Sequence, residues 1–221
     1  VKFDILGLRT LSSIYNTCSL LKIQPTDIDL DSPSIYRNMQ ELRNPHGLFQ
    51  IEASANFMVC KKIKPQNLEQ LSAVIAIARP GAMDFTDLYS DYVRSGNVQT
   101  IHDFFSDVLG YTGGIPLYQE QLMKMAVKVG FDLEESEQLR RIVGKKKVEK
   151  MAEWKDKISE KIKGNNISKE VGDILWKVAE DSANYSFNKS HSISYSFLAA
   201  WTCYLKFNHP KEFFLSLLQM T

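Results

Sequence analysis

Cysteine is scarce in this sequence of 221 residues, and the cysteines that are present are widely separated. Cys18, Cys60 and Cys203 show no CxxC spacing and stand among apolar or helical neighbours. A disulfide framework needs paired cysteines, and a structural zinc site needs closely spaced ligands. The pattern argues against both, and we expect three reduced, buried thiols.

Long apolar runs are also lacking. No run approaches the roughly 18 residues that a membrane-spanning helix needs, and the first residues do not have the layout of a signal peptide. We therefore expect a cytoplasmic protein that does not enter a membrane. The sequence has no initiator methionine and opens within a segment that looks structured, so we expect it to be part of a longer polypeptide.

A large charge of one sign is missing as well, because the formal net charge is only +1. The charge is nevertheless unevenly distributed. Residues 140–163 contain ten Lys and Arg against four Asp and Glu, whereas residues 25–45 lean acidic. A local basic excess suits a surface that contacts phosphate groups, but it is equally typical of an ordinary solvated helix. The charge pattern alone leaves both interpretations open.

The common short catalytic motifs do not occur. The sequence contains no GxxxxGK[ST], GxGxxG, HExxH or GxSxG pattern, and the spacing of its four histidines does not define a metal site. By these motifs alone the sequence indicates a helical domain and little more.

Apolar residues recur at helical spacing along most of the chain. The pattern predicts a single, mostly α-helical domain with a short N-terminal β-strand over residues 1–7. Ser32 followed by Pro33 predicts a helix start, Gly130 a helix end, and Asp132 with Glu135 a capping box. The predicted helices cover residues 8–21, 33–42, 53–63, 68–78, 83–94, 101–109, 118–129, 132–143, 145–163, 171–183, 191–207 and 212–220.

Seven short stretches occur in an order and at a spacing that is hard to explain by chance. They are KFDILGLRT at residues 2–10, GLFQIE at 47–52, ARPGAM at 78–83, YQEQ at 118–121, LRR at 139–141 with GKK at 144–146, FNKSH at 187–191, and YLK at 204–206 with Pro210, Glu212 and Phe213. Together they resemble the α subunit of bacterial DNA polymerase III, of the C family of DNA polymerases. The resemblance spans essentially all 221 residues.

The resemblance implies a fold and an activity. Residues 1–10 would be the end of a polymerase palm, and residues 11–221 a helical fingers domain truncated at both ends. The intact protein would be a DNA-directed DNA polymerase that transfers deoxynucleotides to a primer 3′-hydroxyl by a two-metal mechanism in DNA replication. Its ligands would be primer–template DNA and deoxynucleoside triphosphates, and parts outside this chain would contact the sliding clamp and other replisome subunits.

Asp4 stands where the palm strand of the family carries one of three carboxylates that hold two Mg²⁺ ions. Such hard cations prefer anionic oxygens, so the resemblance implies that Asp4 is a catalytic metal ligand. Without the resemblance, an aspartate at a strand end is more often a turn or cap residue.

Lys2 precedes Asp4 by two positions, so the two side chains point to the same face of a strand. It suits a phosphate oxygen of primer or nucleotide, but a surface lysine is the alternative.

Arg140 and Arg141 come near the end of a capped helix, just before Gly144 and three lysines. A guanidinium group can bind triphosphate oxygens through two parallel N–H bonds, which a single ammonium group cannot do. The resemblance implies that these arginines contact the triphosphate of the incoming nucleotide or the template backbone. Lys145 is a weaker candidate for the same role, because lysine runs are usually solvated.

Lys189 and His191 belong to a polar cluster that leads into an apolar, aromatic helix. A polar cluster in such a place is unusual unless something polar docks there, and the resemblance implies contact with the triphosphate or the terminal base pair. For His191 a purely structural role is the alternative.

Arg79 lies in a tight Arg-Pro-Gly turn that we expect to place it near DNA. For the stretch Tyr118–Gln121 we expect a structural or substrate-positioning role, in which Glu120 binds a neighbouring arginine and is not catalytic.

The sequence departs from the family pattern at a few positions. Ser186 stands where the family has Gly, Ser192 where it has Ala, Leu117 where it has Val, and Ala82 where it has Pro. None of these changes removes a charged group, so we expect a divergent member with the same chemistry. The other two metal carboxylates of the family lie in a Pro-Asp-x-Asp-x-Asp stretch, which this sequence does not contain.

Two other functions fit the residues without the resemblance. A non-catalytic DNA-binding module would lay residues 140–163 on the phosphate backbone, bind DNA in a salt-sensitive way and ignore nucleotides. A protein-interaction scaffold would use the aromatic stretch at residues 195–207 as a docking face and would not bind DNA.

A first prediction concerns catalysis. We expect the 221-residue chain by itself not to extend a primer, because one carboxylate does not hold two metal ions. A primer-extension assay with Mg²⁺ and all four deoxynucleotides tests this. Robust magnesium-dependent extension by the purified chain would contradict the assignment of the missing ligands to another part of the protein.

Overall fold

The computed structural model describes residues 7–144 and 148–220, apart from the side chains of residues 144–152. The predicted mostly α-helical class is confirmed for this part of the chain, which forms twelve α-helices joined by loops and short 3₁₀ turns. They are α1 (Arg9–Leu21), α2 (Pro33–Glu41), α3 (Ser54–Ile63), α4 (Leu68–Ile77), α5 (Thr86–Ser95), α6 (Ser106–Leu109), α7 (Gln119–Val129), α8 (Leu133–Gly144), α9 (Val148–Gly164), α10 (Lys169–Tyr185), α11 (Lys189–Asn208) and α12 (Pro210–Leu218). The strand predicted for residues 1–7 lies, but for Gly7, outside the described residues.

The chain divides into two compact units. The first unit comprises the described residues up to Ile75 together with those from Ile193 onward, and the second unit is Ala76–Ser192. Helices α4 and α11 each contribute residues to both units.

In the first unit, α1 packs against α12. Their shared core contains Ile14 and Cys18 of α1 and Phe213 of α12, all buried. A polar contact lies inside this packing, because the Ser216 hydroxyl donates to the backbone carbonyl of Ser13 at 3.0 Å. The hydroxyl is therefore buried without losing its hydrogen bond, which keeps its burial from costing stability.

All three cysteines belong to the first unit, and all are buried and free, as predicted. Burial raises the pKa of the Cys60 and Cys203 thiols to about 12. A thiol held protonated in this way is a poor nucleophile and a poor metal ligand, since both roles need the thiolate.

In the second unit, helices α7, α8, α9 and α10 enclose one apolar core. The basic helix α9 takes part in it through Trp154, Ile158 and Ile162, which are buried. The helix is thus amphipathic, because Lys155, Lys157 and Lys163 are exposed.

Local sequence signals set the ends of these helices. Asp132 and Glu135 form the predicted capping box: the Glu135 N–H donates to the Asp132 carboxylate at 2.7 Å, and the Asp132 N–H to the Glu135 carboxylate at 2.9 Å. Gly130 ends α7 with a φ of 116°, a conformation that side chains other than glycine rarely adopt.

Two predicted helices are shorter than their apolar pattern indicates. Residues 101–109 were predicted as one helix, but a 3₁₀ turn (Asp103–Phe105) precedes the single turn of α6. The Phe104 N–H donates to Nδ1 of His102 at 3.0 Å. Because His102 caps the 3₁₀ turn, helical structure begins at Asp103 and not at residue 101. Similarly, a 3₁₀ turn (Met83–Phe85) comes before α5.

The Arg79-Pro80-Gly81 turn is also confirmed. Gly81 has a φ of 88°, and a Cβ atom at this position would stand 2.8 Å from the backbone carbonyl oxygen of Asn184. Only glycine allows the turn to approach the end of α10 so closely.

Within the described residues, no helix combines the length and the apolar character needed to span a membrane.

Two leucines of α8 offer a matched test of the packing in the second unit. Leu139 is fully buried in its core, whereas Leu133 is 70% exposed. We expect Leu139→Ala to lower the free energy of unfolding by about 2–5 kcal/mol, because it removes buried methyl groups and leaves a cavity. Leu133→Ala should change it by less than about 0.5 kcal/mol. Urea denaturation followed by circular dichroism measures both, and equal losses would contradict the core assigned to α8.

Candidate functional site

A short parallel bridge joins two distant segments in the second unit. The Phe187 N–H donates to the Leu117 carbonyl at 3.0 Å, and the Gln119 N–H donates to the Phe187 carbonyl at 2.8 Å. The bridge places the first residue of α7 beside the residues that open α11. The YQEQ and FNKSH stretches are thus in contact.

Glu120 ties the two helix starts together. One of its carboxylate oxygens accepts from the Asn188 side-chain amide at 2.9 Å, and the other accepts from the backbone N–H of Lys189 at 2.9 Å. The first N–H groups of a helix have no partner within it, and a carboxylate there is also favoured by the helix dipole. Asn188 completes the cap, since its Oδ1 atom accepts from the backbone N–H of His191 at 2.8 Å.

The side chains of Lys189 and His191 lie against aromatic rings. The Lys189 ammonium group is 4.2 Å from the ring centre of Tyr111 and 5.5 Å from that of Tyr118, distances typical of cation–π contacts. The His191 ring meets the Phe187 ring edge to face at 5.3 Å. Both polar side chains are half-buried.

Arg79 reaches the same place from the turn after α4. Its guanidinium carbon lies 3.9 Å from the centre of the Phe187 ring, and its Nη2 donates to the Tyr185 carbonyl at 2.6 Å. Nε donates to the Ala76 carbonyl at 3.2 Å. Burial lowers the pKa of this arginine from its usual value.

The glutamines of the YQEQ stretch have separate partners. Gln121 is fully buried, accepts from the Tyr118 N–H at 2.9 Å and donates to the Thr112 hydroxyl at 2.7 Å. It fixes the start of α7. Gln119 points its side-chain oxygen to Nη1 of Arg140 at 3.1 Å and so brings α8 into the cluster.

Arg140 and Arg141 share one carboxylate, that of Glu137. Nε and Nη2 of Arg140 each donate to a Glu137 oxygen at 2.7 Å, which makes the pair bidentate. Nε of Arg141 donates to one of the same oxygens at 2.8 Å. The hydrogen bonds from Arg140 lower the pKa of Glu137 to about 2, against the opposing effect of burial, and Arg141 adds to the lowering. The Glu137 side chain therefore carries its charge at any ordinary pH.

Four of the predicted residues come together in this cluster: Arg79, Arg140, Lys189 and His191. Arg141 lies at its outer side, 66% exposed against 29% for Arg140. Lys2, Asp4 and Lys145 lie outside the described residues, so their predicted roles stay predictions.

Glu137 and Tyr111 were not predicted as residues of the site, whereas Gln119 belongs to the YQEQ stretch, for which a structural or positioning role was predicted. A signal for Glu137 was present, because a glutamate three and four positions before two arginines faces both of them on a helix. No local signal marks Tyr111, whose contact with Lys189 spans a long stretch of chain. The arginine nearest to the one expected beside Glu120 is Arg140. Its pKa is raised mainly by the hydrogen bonds with Glu137, and the charge of Glu120 adds to this. The carboxylate of Glu120 itself bonds to the start of α11.

Metal binding was predicted for Asp4 alone. In the part of the chain that the structure describes, no three His, Cys, Asp or Glu side chains are grouped so that they could hold a metal ion. A magnesium site therefore stays a prediction for Asp4.

Comparison with known proteins gives one consistent result. Residues 9–166 match the family of the bacterial DNA polymerase III alpha subunit finger domain. The chain is 36% identical over 225 residues to the DNA polymerase III subunit alpha of Aquifex aeolicus and 32% identical over 233 residues to that of Thermus aquaticus. These alignments cover 97% and 100% of this chain.

A more distant relative carries a different name. The error-prone DNA polymerase of Corynebacterium diphtheriae is 31% identical over 230 residues, which cover 99% of this chain. The chain spans 19% of the length of the two DNA polymerase III subunits and 22% of the error-prone polymerase.

The cap on α11 can be tested by removing its carboxylate. We expect Glu120→Ala to speed hydrogen exchange of the Lys189 amide by about tenfold and to cost about 1 kcal/mol of stability, since a helix cap is worth this much. Glu180→Ala, which removes an exposed carboxylate from the middle of α10, is the matched control and should leave that amide unchanged. Equal exchange in both variants, measured by NMR, would contradict the capping role.

Proposed function

Because this chain belongs to the family of bacterial DNA polymerase III alpha subunit finger domains, we propose that its basic cluster binds the incoming deoxynucleoside triphosphate and the primer–template in a DNA-directed DNA polymerase. Residues 1–10 would end the palm and residues 11–221 would form the fingers. The polymerase would act in DNA replication.

The convergence of basic groups carries this proposal. Arg79, Arg140, Lys189 and His191 come from segments that are far apart in the sequence, yet all lie within one network of contacts around the 117–119 and 187 bridge. Packing of the core does not explain why four basic side chains lie together, because a core is built from apolar side chains. A group of basic side chains in one place is expected for a site that binds an anionic ligand.

Arg140 would provide the central contact. Its guanidinium group has five N–H donors, and the contacts to Glu137 and Gln119 use three of them. Arg141 contributes only Nε to the cluster contacts with Glu137 and is largely exposed. The two arginines could therefore hold phosphate oxygens and neutralise the charge that develops on them during nucleotide transfer.

Lys189 and His191 would act beside them. Their backbone is fixed by the cap on α11, so little entropy is lost when they meet a ligand. Arg79 would support this region by packing on Phe187, and its predicted contact with DNA remains part of the proposal.

Asp4 would hold magnesium together with carboxylates outside this chain, and Lys2 would lie beside it and bind a phosphate oxygen. The two ions of such a site supply charge neutralisation at the attacking and leaving oxygens. The residues of this chain would contribute by binding and orienting the nucleotide.

The remaining partners follow from the same proposal. The sliding clamp and other replisome subunits would bind parts of the polymerase outside this chain, and the polymerase would work in the cytoplasm, at the nucleoid. The rival module that lays α9 on DNA is less well supported, because some of its lysines have partners within the chain. Lys161 binds Glu135 at 2.9 Å, and the Lys157 ammonium group lies 4.7 Å from the centre of the Trp154 ring.

Binding of a fluorescent deoxynucleoside triphosphate, with and without primer–template, tests the proposal. We expect the Arg140→Ala/Arg141→Ala double variant to lose about tenfold in affinity or more, equivalent to about 1.4 kcal/mol. Arg94→Ala is the control, since Arg94 is an exposed arginine of α5 that pairs with Asp91, outside the cluster.

Two results would contradict the proposal. If nucleotide is ignored while DNA binds equally to all three proteins, the chain is a backbone-binding module. If neither nucleotide nor DNA binds, a protein-interaction scaffold is favoured.

A further inference from the structure

Glu137 has an unusual position in the basic cluster. Its carboxylate accepts three N–H groups from two neighbouring arginines, at 2.7, 2.7 and 2.8 Å. The three residues lie on one face of α8, because they are three and four positions apart. The carboxylate occupies the Nε and Nη2 edge of Arg140.

The Nε–H and Nη2–H groups of an arginine are donors that can bind a phosphate group. Guanidinium groups bind phosphate and carboxylate through the same pair of parallel N–H bonds. In this structure the Glu137 oxygens stand where two phosphate oxygens would bind to Arg140. A phosphate group can use this edge only if the carboxylate moves away.

The charges make such an exchange possible. Two arginines and one glutamate leave a net charge of +1, so the group attracts an anion even while Glu137 is in place. Glu137 and Arg140 are each 29% exposed, so solvent and a ligand can reach the ion pair. The carboxylate is therefore held firmly enough to order both arginines but is not locked in place.

Gln119 would keep Arg140 in position during the exchange. It accepts from Nη1, on a different nitrogen from those that Glu137 uses. The guanidinium group thus stays bound to the start of α7 when phosphate oxygens replace Glu137 at Nε and Nη2.

We propose that Glu137 is a positioning residue that acts as a placeholder anion: it holds the arginine pair in the absence of nucleotide and is displaced by triphosphate oxygens. The proposal rests on the function proposed above, and it names the event that accompanies nucleotide binding at this site.

The test uses Glu137→Gln, which keeps the shape of the side chain but removes its charge. We expect this variant to bind a fluorescent deoxynucleoside triphosphate about three- to fivefold more tightly than the unchanged chain, because the charged side chain that competes for Arg140 is lost. Glu134→Gln removes the same charge from an exposed position on the same helix and should change the affinity much less.

A double variant separates displacement from a general effect of charge. In an Arg140→Ala/Arg141→Ala background neither arginine that Glu137 holds is left, so Glu137→Gln should bring no further gain. If the gain persists there, or if Glu137→Gln binds nucleotide as well as or less well than Glu134→Gln, the placeholder role is wrong.

The outcomes also distinguish this inference from the proposed function. Loss of binding in Arg140→Ala without a gain in Glu137→Gln would refute the placeholder and leave the nucleotide site intact. No loss in Arg140→Ala would refute the nucleotide site and the placeholder with it. Should Glu137→Gln fail to fold, Glu137→Asp serves instead, because its shorter side chain cannot span both arginines and should also bind nucleotide more tightly.

Discussion

Two backbone hydrogen bonds between residues 117–119 and Phe187 fix the geometry of the second unit around its polar cluster. They are formed by segments nearly 70 residues apart, so the chain gives up considerable freedom to close this loop. Once they are formed, the starts of α7 and α11 lie side by side. The positions of Glu120, Lys189 and His191 follow from this, because each is within four residues of the bridge.

The hydrogen bonds of the cluster are arranged so that each polar group fixes another. Glu120 satisfies the start of α11, Gln121 satisfies the start of α7, and Gln119 holds Arg140. A buried polar group without a partner costs about 1–3 kcal/mol. The network avoids that cost and at the same time limits the motion of the basic side chains. Rigidity of this kind is useful to a site that must place charge accurately.

Local patterns in the sequence predicted the helices well, because amphipathic spacing, caps and glycine stops act within a few residues. The capping box at Asp132 and the end of α7 at Gly130 are examples. The helix predicted for residues 101–109 was too long, since a side-chain cap at His102 overrode the apolar pattern.

The candidate site was predictable only in part. The resemblance to a family selected Arg79, Arg140, Lys189 and His191, but spacing along the chain could not show that they meet. Their meeting depends on contacts between distant segments, such as that of Arg79 with Phe187. The partner of Arg140 was predictable in principle, since Glu137 lies one helical turn before it. It was overlooked because a glutamate on a helix surface is usually an unremarkable solvated residue.

The surroundings of Arg79 and Arg140 show that two arginines in one cluster need not do the same work. Arg79 donates to backbone carbonyls and stacks on an aromatic ring, and burial lowers its pKa. Its charge is surrounded by neutral partners, so it stabilises the chain around Phe187. Arg140 donates to a carboxylate and an amide, and its hydrogen bonds with Glu137 raise its pKa. The backbone carbonyls that Arg79 binds are held in place by the fold, whereas the side-chain carboxylate that Arg140 binds can rotate away. We therefore expect an exchange of partners at Arg140 rather than at Arg79.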